Sequence, residues 1–585
     1  MIAEFVRKQP TVIRNALQAC RRHFVYALLF SALLNLLFIA PMLYMLQVYD
    51  RVVPTYGATT LLFLTLVLLF ALIVLSGLDA LRSRLLVRAS VRLDKELAGA
   101  ILESTLAVPD QGAQRIAKQA LREFDVLRQT LTGPSMVALF DAPWVPIYIA
   151  IAWLIDPWIG ILALAGAAIS VYLAWRNERA TNARLKEANA AAGRSYAGYE
   201  FTLAQADVVR ALGQRRAMVA GHLSDRHSMM ELQSLASLES SGIGATSKFV
   251  RLAVQSLALG LAALLAIDNR ISAGAIFASS FIVGRALAPI DQLVGSWKMV
   301  VQGMNAWGTL QELFAESRPD VSLTRLPPPE GKLSTESLTI IDQNRRPILQ
   351  NVTFSASKGE TIAIIGPSGA GKSTLVKALA GAAIPVAGLI RFDGADQKNW
   401  DPELLAEHIG YMPQEASLFA GTIKENIARF RNRLGANAMT LDAAVIDAAR
   451  KARAHDLILQ LPGGYDYTLG LGGRGLSAGQ AQRIALARAL FGSPQYLILD
   501  EPNASLDAEG DQQLIQTLDE AKKSGVTTLI VAHRLSVLPI IDKIMVIQDG
   551  RLTAMGARDE VLAQLAPPKP PQAEPDTATA GKRGR

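Results

Sequence analysis

Six separate apolar runs decide what this chain can fold into, because about 20 mostly apolar residues is what a helix needs to cross a bilayer. Residues 24–46 are interrupted only by Ser31 and Asn35 before Pro41, and residues 59–78 carry no charge at all. Residues 135–155 and 158–175 form a pair around Asp156-Pro157. Residues 252–267 are shorter but uncharged, with Gln255 and Ser256 as polar interruptions, and residues 272–297 form the sixth run, which holds Arg285 and Asp291. A hydrophobic share of 50% with only 19% charged residues agrees with a membrane protein,. With 585 residues, more than one domain is expected,.

Charge beside the runs sets orientation. Arg7, Lys8, Arg14, Arg21 and Arg22 precede the first run. Arg82, Arg84, Arg88, Arg92 and Lys95 follow the second, and Arg176, Arg179, Arg184 and Lys186 follow the fourth. The three intervening loops contribute only Arg51 and Arg270, so the basic side is the cytoplasmic one and both chain ends are expected there,. The net charge of +8 is explained by these flanks, and no nucleic-acid partner is expected,. Cys20, alone of its kind, excludes an internal disulfide and a Cys-based zinc site,. No short apolar core with a small-residue cleavage site opens the chain, so no removable signal peptide is expected.

The polar excursions at about 80–133 and 176–250 are rich in Ala, Leu, Arg and Glu. Apolar residues such as Phe124, Leu127 and Leu131 recur in them at helical spacing,. They read either as spans extended into the cytoplasm or as a solvated helical hairpin. The organisation expected is a cytoplasmic segment 1–23, a transmembrane domain 24–317, a Pro-rich linker 318–332, a nucleotide-binding domain 333–566 and a disordered tail 567–585.

The second half carries the chemistry. Residues 361–365 form a short β-branched apolar run. Gly366-Pro367-Ser368-Gly369-Ala370-Gly371-Lys372-Ser373 and then Thr374 follow, opening a helical pattern. Strand, glycine-rich loop and helix in that order make a phosphate loop, in which backbone N–H groups crowd round phosphate oxygens. Lys372 is expected on the β- and γ-phosphates and the Ser373 hydroxyl on Mg²⁺. A second apolar strand at 496–499 ends in Asp500-Glu501. Asp500 suits metal binding, and Glu501 suits a general base for the attacking water.

Leu476-Ser477-Ala478-Gly479-Gln480, followed by a helical run, resembles the LSGGQ signature of ABC transporters. At that family's spacing, Gln414 resembles the Q-loop glutamine, which also reaches the metal. Asp507 in Ser505-Leu506-Asp507 resembles the D-loop, and His533 the switch histidine. The resemblance implies a helical membrane domain of six transmembrane helices joined to an α/β P-loop ATP-binding cassette, with ATP and Mg²⁺ as ligands. It also implies that Ser477, Gly479, Gln480 and Asp507 complete the ATP site of a second copy, so that a homodimer works as the unit. Three departures stand out: Ala478 replaces a glycine, Gly470-Leu471-Gly472-Gly473 lacks the family's glutamate, and no aromatic lies between Leu333 and Val352 to stack on adenine. Arg345 or Arg346 is offered as the substitute.

Residues 41–52, PMLYMLQVYDRV, together with Gly284–Ile290 as GRALAPI, Ser296-Trp297-Lys298 and residues 207–213, resemble the protease-secretion branch of type I secretion ABC transporters. That resemblance implies a bacterial inner-membrane half-transporter in contact with membrane lipids. Its partners would be a periplasmic membrane fusion (adaptor) protein and a TolC-like outer-membrane channel. Its cargo would be an unfolded secreted protein with an uncleaved C-terminal signal. The short segment before the first run agrees with exporters that have no leader-cleaving peptidase. The alternatives are a stand-alone lipid or drug flippase and an ATP-gated regulator or channel. For Arg285, two readings stand: lining the translocation path, or pairing with a carboxylate such as Asp141.

Overall fold

The computed structural model describes residues 11–107, 114–316, 326–342, 344–532 and 535–565. Contacts divide the described residues into two units, one ending at residue 316 and the other beginning at residue 326. The expected segment 1–23 lies outside the described residues as far as residue 10. The expected linker does so up to residue 325, and so does the whole of the expected tail.

The first unit is helical. Its elements are α1 (Thr11–Leu37), α2 (Ala40–Gln47), α3 (Ala58–Ala107), α4 (Gln114–Thr132), α5 (Pro134–Asp141), α6 (Val145–Ile155), α7 (Pro157–Ala204), α8 (Arg215–Ile267), α9 (Ala273–Gly295) and α10 (Trp297–Glu316). Among the described residues, six helical stretches are long and apolar enough to cross a membrane. In α3 none of the most apolar window is buried within the protein. Phe63, Phe70 and Ile73 face outward, an arrangement that water would not tolerate and lipid requires,. By contrast α9, which carries both charges of the sixth run, has 61% of its apolar window buried. Its Asp291 accepts from Arg251 Nε at 3.1 Å and from the Ser247 hydroxyl at 2.9 Å, both on α8. An intramembrane carboxylate is thereby paired inside the protein.

Proline punctuates the spans as its chemistry demands. Pro41 sits in the first turn of α2, where its missing N–H costs nothing, and the first span restarts there after a break at 38–39,. That span continues into a π-helical turn at Val48–Val52. The turn brings the Asp50 carboxylate onto the start of α9, where it accepts from Ser272 Oγ at 2.5 Å and Gly274 N at 2.6 Å. Tyr49 stacks on Phe277 beside it, 4.3 Å between ring centroids. Asp156 caps α7 through Trp158 N at 2.9 Å and pairs with Arg270 at 3.0 Å. The three short loops are therefore tied to one another and to the helix starts.

The polar excursions are helical continuations of the spans. α7 has 48 residues and α8 has 53, about 70–80 Å each at 1.5 Å per residue, against a bilayer core of about 30 Å,. They run antiparallel. Gly166 lies against Val254, Arg184 pairs with Glu239, and Thr202 Oγ1 meets His222 Nε2 at 2.9 Å. Phe124 and Leu127 on α4 are buried in a core shared with Leu93 and Leu97 of α3 and Leu310 and Leu313 of α10. These residues pack within the unit, as the extended-span reading expects.

The second unit is α/β. Its strands are β1 (Leu333–Ile341), β2 (Pro347–Ala356), β3 (Thr361–Ile365), β4 (Ala387–Phe392), β5 (Ala395–Asp396), β6 (Ile409–Met412), β7 (Gly421–Thr422), β8 (Thr468–Leu469), β9 (Tyr496–Asp500), β10 (Thr527–Val531), β11 (Lys543–Gln548) and β12 (Arg551–Ala557). The helices that bear on the site are α11 (Lys372–Leu379), α12 (Ala438–Lys451), α13 (Ala478–Leu490) and α14 (Ala508–Lys523). A six-stranded sheet runs β12-β11-β3-β10-β9-β6, parallel except for β12, and a four-stranded antiparallel sheet runs β2-β1-β4-β5. Every residue of β9 and β10 is buried, as strands covered on both faces must be,.

Candidate nucleotide site

In a parallel sheet, ligands bind beyond the carboxyl ends of the strands. Here β10 lies between β3 and β9, with β6 outside β9. One edge therefore receives the phosphate loop after β3, Asp500-Glu501 at the end of β9, and Gln414 two residues past β6. Gln414 is exposed there. His533, two residues past β10, lies outside the described residues.

The phosphate loop has the backbone its glycines permit. Gly366 has φ 152°, Gly369 φ 81° and Gly371 φ 98°. Pro367, Ser368 and Gly369 form the exposed crest, and Ala370 is buried beneath. Gly371 caps α11, so the N–H groups of Lys372, Ser373 and Thr374 open the helix, the arrangement that holds anions,. Lys372 is 6% exposed, and its ammonium donates to Gly366 O and Pro367 O at 2.9 Å each. The cation is thus stored against the loop it would share with phosphate. A Cβ at Gly366 would stand 2.0 Å from Ile547 O, a backbone atom of the paired strand β11. At Gly369 it would meet nothing within 4 Å. Gly366→Ala is therefore expected to abolish nucleotide binding and lower stability by several kcal/mol, whereas Gly369→Ala costs about 1 kcal/mol through its left-handed backbone alone. Titration with a fluorescent ATP analogue and thermal melting of both variants check the contrast.

Asp500 is 1% exposed and accepts from the Ser373 hydroxyl at 3.2 Å. Burial pushes its carboxyl above the ordinary carboxylate range; the Ser373 hydrogen bond opposes this and the Glu501 charge adds to it,. A lone anion is costly there, and a divalent cation would stabilise it. A hydroxyl and a carboxylate this close are hard oxygen donors, so the residues fit Mg²⁺. Glu501 has φ 50°, a left-handed backbone that non-glycine residues rarely adopt and that concentrates at functional sites,.

Ser477 is exposed and caps α13 in a reciprocal box: its hydroxyl accepts from Gln480 N at 3.3 Å and its N–H donates to Gln480 Oε1 at 2.9 Å,. Within one copy, then, the Gln480 side chain serves the helix start. Gly479 lies against the loop after β9, since a Cβ there would meet Ser505 O at 3.2 Å. Ala478 is exposed in the first turn of α13. Asp507 caps α14 through Gly510 N at 2.8 Å and lies 3.6 Å from Arg483. Arg345, at φ 60°, and Arg346 are exposed in the turn between β1 and β2. Sequence reasoning missed Arg429, whose guanidinium donates to Ala406 O, Ile409 O, Arg488 O and Ala489 O. It staples the end of α13 to β6, and burial lowers its pKa to about 10.

An apolar six-span unit joined to a phosphate-loop unit with a capped LSAGQ helix defines an ATP-binding cassette exporter. An ABC transporter family profile matches residues 349–504. The type I secretion system ATP-binding protein PrsD of Rhizobium meliloti (strain 1021) is 38% identical over 557 residues, 95% of this chain and 94% of that one. The leukotoxin translocation ATP-binding protein LktB of a Pasteurella haemolytica-like species is 29% identical over 94% of this chain and 77% of its own length. The fold is similar to that of a bacterial Atm1-family ABC exporter solved with ATP bound (TM-score 0.76, 24% identity, 93% of this chain and 96% of that chain). The chain belongs to the type I secretion ATP-binding proteins of the ABC transporter family. It is a multi-pass membrane ATPase of protein export, and ATP is its nucleotide.

Proposed function

We propose that two copies of this chain form a bacterial inner-membrane exporter that passes an unfolded protein to a periplasmic adaptor and a TolC-like outer-membrane channel. The observation that carries this reading is the convergence of the phosphate loop, Asp500-Glu501 and Gln414 on one sheet edge. It stands in a chain whose relatives are named for type I secretion and toxin translocation. Lys372 and the N–H groups opening α11 bind the phosphates. Ser373, Asp500 and Gln414 hold Mg²⁺, which when bound neutralises developing charge on the phosphate oxygens. Glu501 takes the proton of the attacking water, Gln414 helps orient that water, and His533 contacts the γ-phosphate. Ser477, Gly479, Gln480 and Asp507 of one copy face the nucleotide of the other, and exposed Arg345 or Arg346 stacks on adenine.

The basic flanks support an orientation with both termini and the cassette in the cytoplasm. In a Cys20→Ser background, single cysteines at Thr55 and Asn269, both exposed, are expected to react with an impermeant thiol reagent in spheroplasts. One at Lys332 is expected to stay unlabelled. Labelling at Lys332 would overturn the orientation.

The cargo is proposed to carry an uncleaved C-terminal signal. Deleting about 50 residues from that end, a segment recognised while unfolded, is expected to leave the cargo in the cytoplasm. Secretion into the medium is expected to vanish when the adaptor gene is removed. Undiminished secretion in that strain would favour a stand-alone flippase.

A further inference from the structure

Gln482 lies on α13, five residues past Ser477, and is 3% exposed. Its amide grips the loop after β9 at two points. Nε2 donates to Glu501 O at 3.3 Å, and Oε1 accepts from Ser505 N at 2.9 Å. Glu501 is the residue with the left-handed backbone. Its N–H donates to Val531 O at 3.2 Å, and its carbonyl also accepts from Ala504 N at 3.2 Å. The turn that carries the carboxylate is therefore held by β10 on one side and by α13 on the other. Gly479, in the first turn of the same helix, lies against Ser505 O, so the signature loop touches this loop at Ser505, and Gln482 on the next turn of the helix reaches both Ser505 and Glu501.

We infer that Gln482 is a positioning residue. It carries the seating of the α13 N-terminus on nucleotide to the backbone of Glu501, so that the base is correctly aimed only when the signature loop is engaged. The inference rests on the proposed roles of Glu501 as base and of Ser477 at the partner copy's nucleotide. The chemistry calls for an amide, since one end must donate to a carbonyl while the other accepts from an N–H. Gln482→Glu keeps the acceptor toward Ser505 but sets an oxygen against the Glu501 carbonyl. Gln482→Met fills a similar volume and makes neither bond.

The test uses the full chain in lipid nanodiscs. Both variants are expected to lower kcat by roughly ten- to a hundredfold, the scale of a small misplacement of reacting groups. ATP binding, followed with a fluorescent analogue, should change less than twofold, and the melting temperature of Gln482→Met should stay near the parental one. Ser477→Ala combined with Gln482→Met is expected to cost no more in kcat than the larger single loss, because both act along one path. Additive losses, or a fall in ATP affinity and melting temperature that matches the fall in kcat, would assign Gln482 a merely structural role and overturn the inference. Parental kcat in both Gln482 variants alongside an inactive Glu501→Gln would also overturn it while leaving the base assignment standing. Parental kcat in Glu501→Gln would remove both.

Discussion

Glu501→Gln is expected to lower the ATPase rate by 10²–10⁴, the usual cost of removing a general base, while ATP still binds. The substitution keeps the side chain's size and removes its capacity to hold a proton from water. Lys372→Ala is expected to fail at an earlier step. The ammonium lies buried among the carbonyls of the loop it serves, so its removal takes a phosphate ligand away and leaves those carbonyls without their donor. The first variant should therefore retain ATP, measured by equilibrium binding, and the second should not. Hydrolysis by Glu501→Gln at the parental rate would place the base elsewhere.

The parts of this protein that were legible in its sequence are those whose signal is local. A run of about 20 apolar residues states its own destiny, and strand, glycine loop and helix in a fixed order can be read without knowing what lies across the sheet. The capping box of Ser477 with Gln480 three residues on is a local pattern too, but it went unread because both residues were assigned to the nucleotide,. Its consequence is that Gln480, taken as a nucleotide contact, has its side chain at the helix start within one copy. Partner choice was not legible. Arg82 read as one more basic flank residue, and Asp141 as a possible mate for Arg285. In the fold Asp141 pairs with Arg82, and the Arg285 guanidinium lies 3.2 Å from the centroid of the Phe38 ring. Which side chains meet depends on helix rotation and crossing, which no window of residues encodes. Gln482 and Arg429 were missed for the same reason, since each acts on backbone far away in the chain. The π-helical turn that delivers Asp50 to α9 likewise has no signature beyond its own outcome.

The Arg82–Asp141 pair sets up the second large effect. Arg82 on α3 and Asp141 on α5 are 9% and 8% exposed and meet at 3.3 Å. Arg82 also donates to Ser31 Oγ at 2.9 Å and Asp79 Oδ1 at 2.7 Å. Asp141 accepts from Asn35 Nδ2 at 2.7 Å, and Tyr148 Oη donates to Asn35 Oδ1 at 2.9 Å. Four helices thus share one buried polar network beside the apolar spans. Removing Arg82 leaves Asp141 buried without its counterion, a loss of about 3–5 kcal/mol. Removing Asp141 costs less, because Arg82 keeps its pair with half-exposed Asp79. Replacing both with apolar groups of similar volume is often neutral. Arg82→Met and Asp141→Leu are each expected to lower the yield and thermal midpoint of the detergent-solubilised chain, and the double variant to recover most of both. The recovery is the discriminating result, because two independent packing defects would add. It follows from the surroundings: without the two charges, Asn35 Nδ2 still donates to Ser31 O at 2.8 Å, and half-exposed Asp79 can turn to water. A double variant less stable than either single one would mean that the charges do more than balance each other, and that the network has a role in which an anion or a cation is needed at that depth.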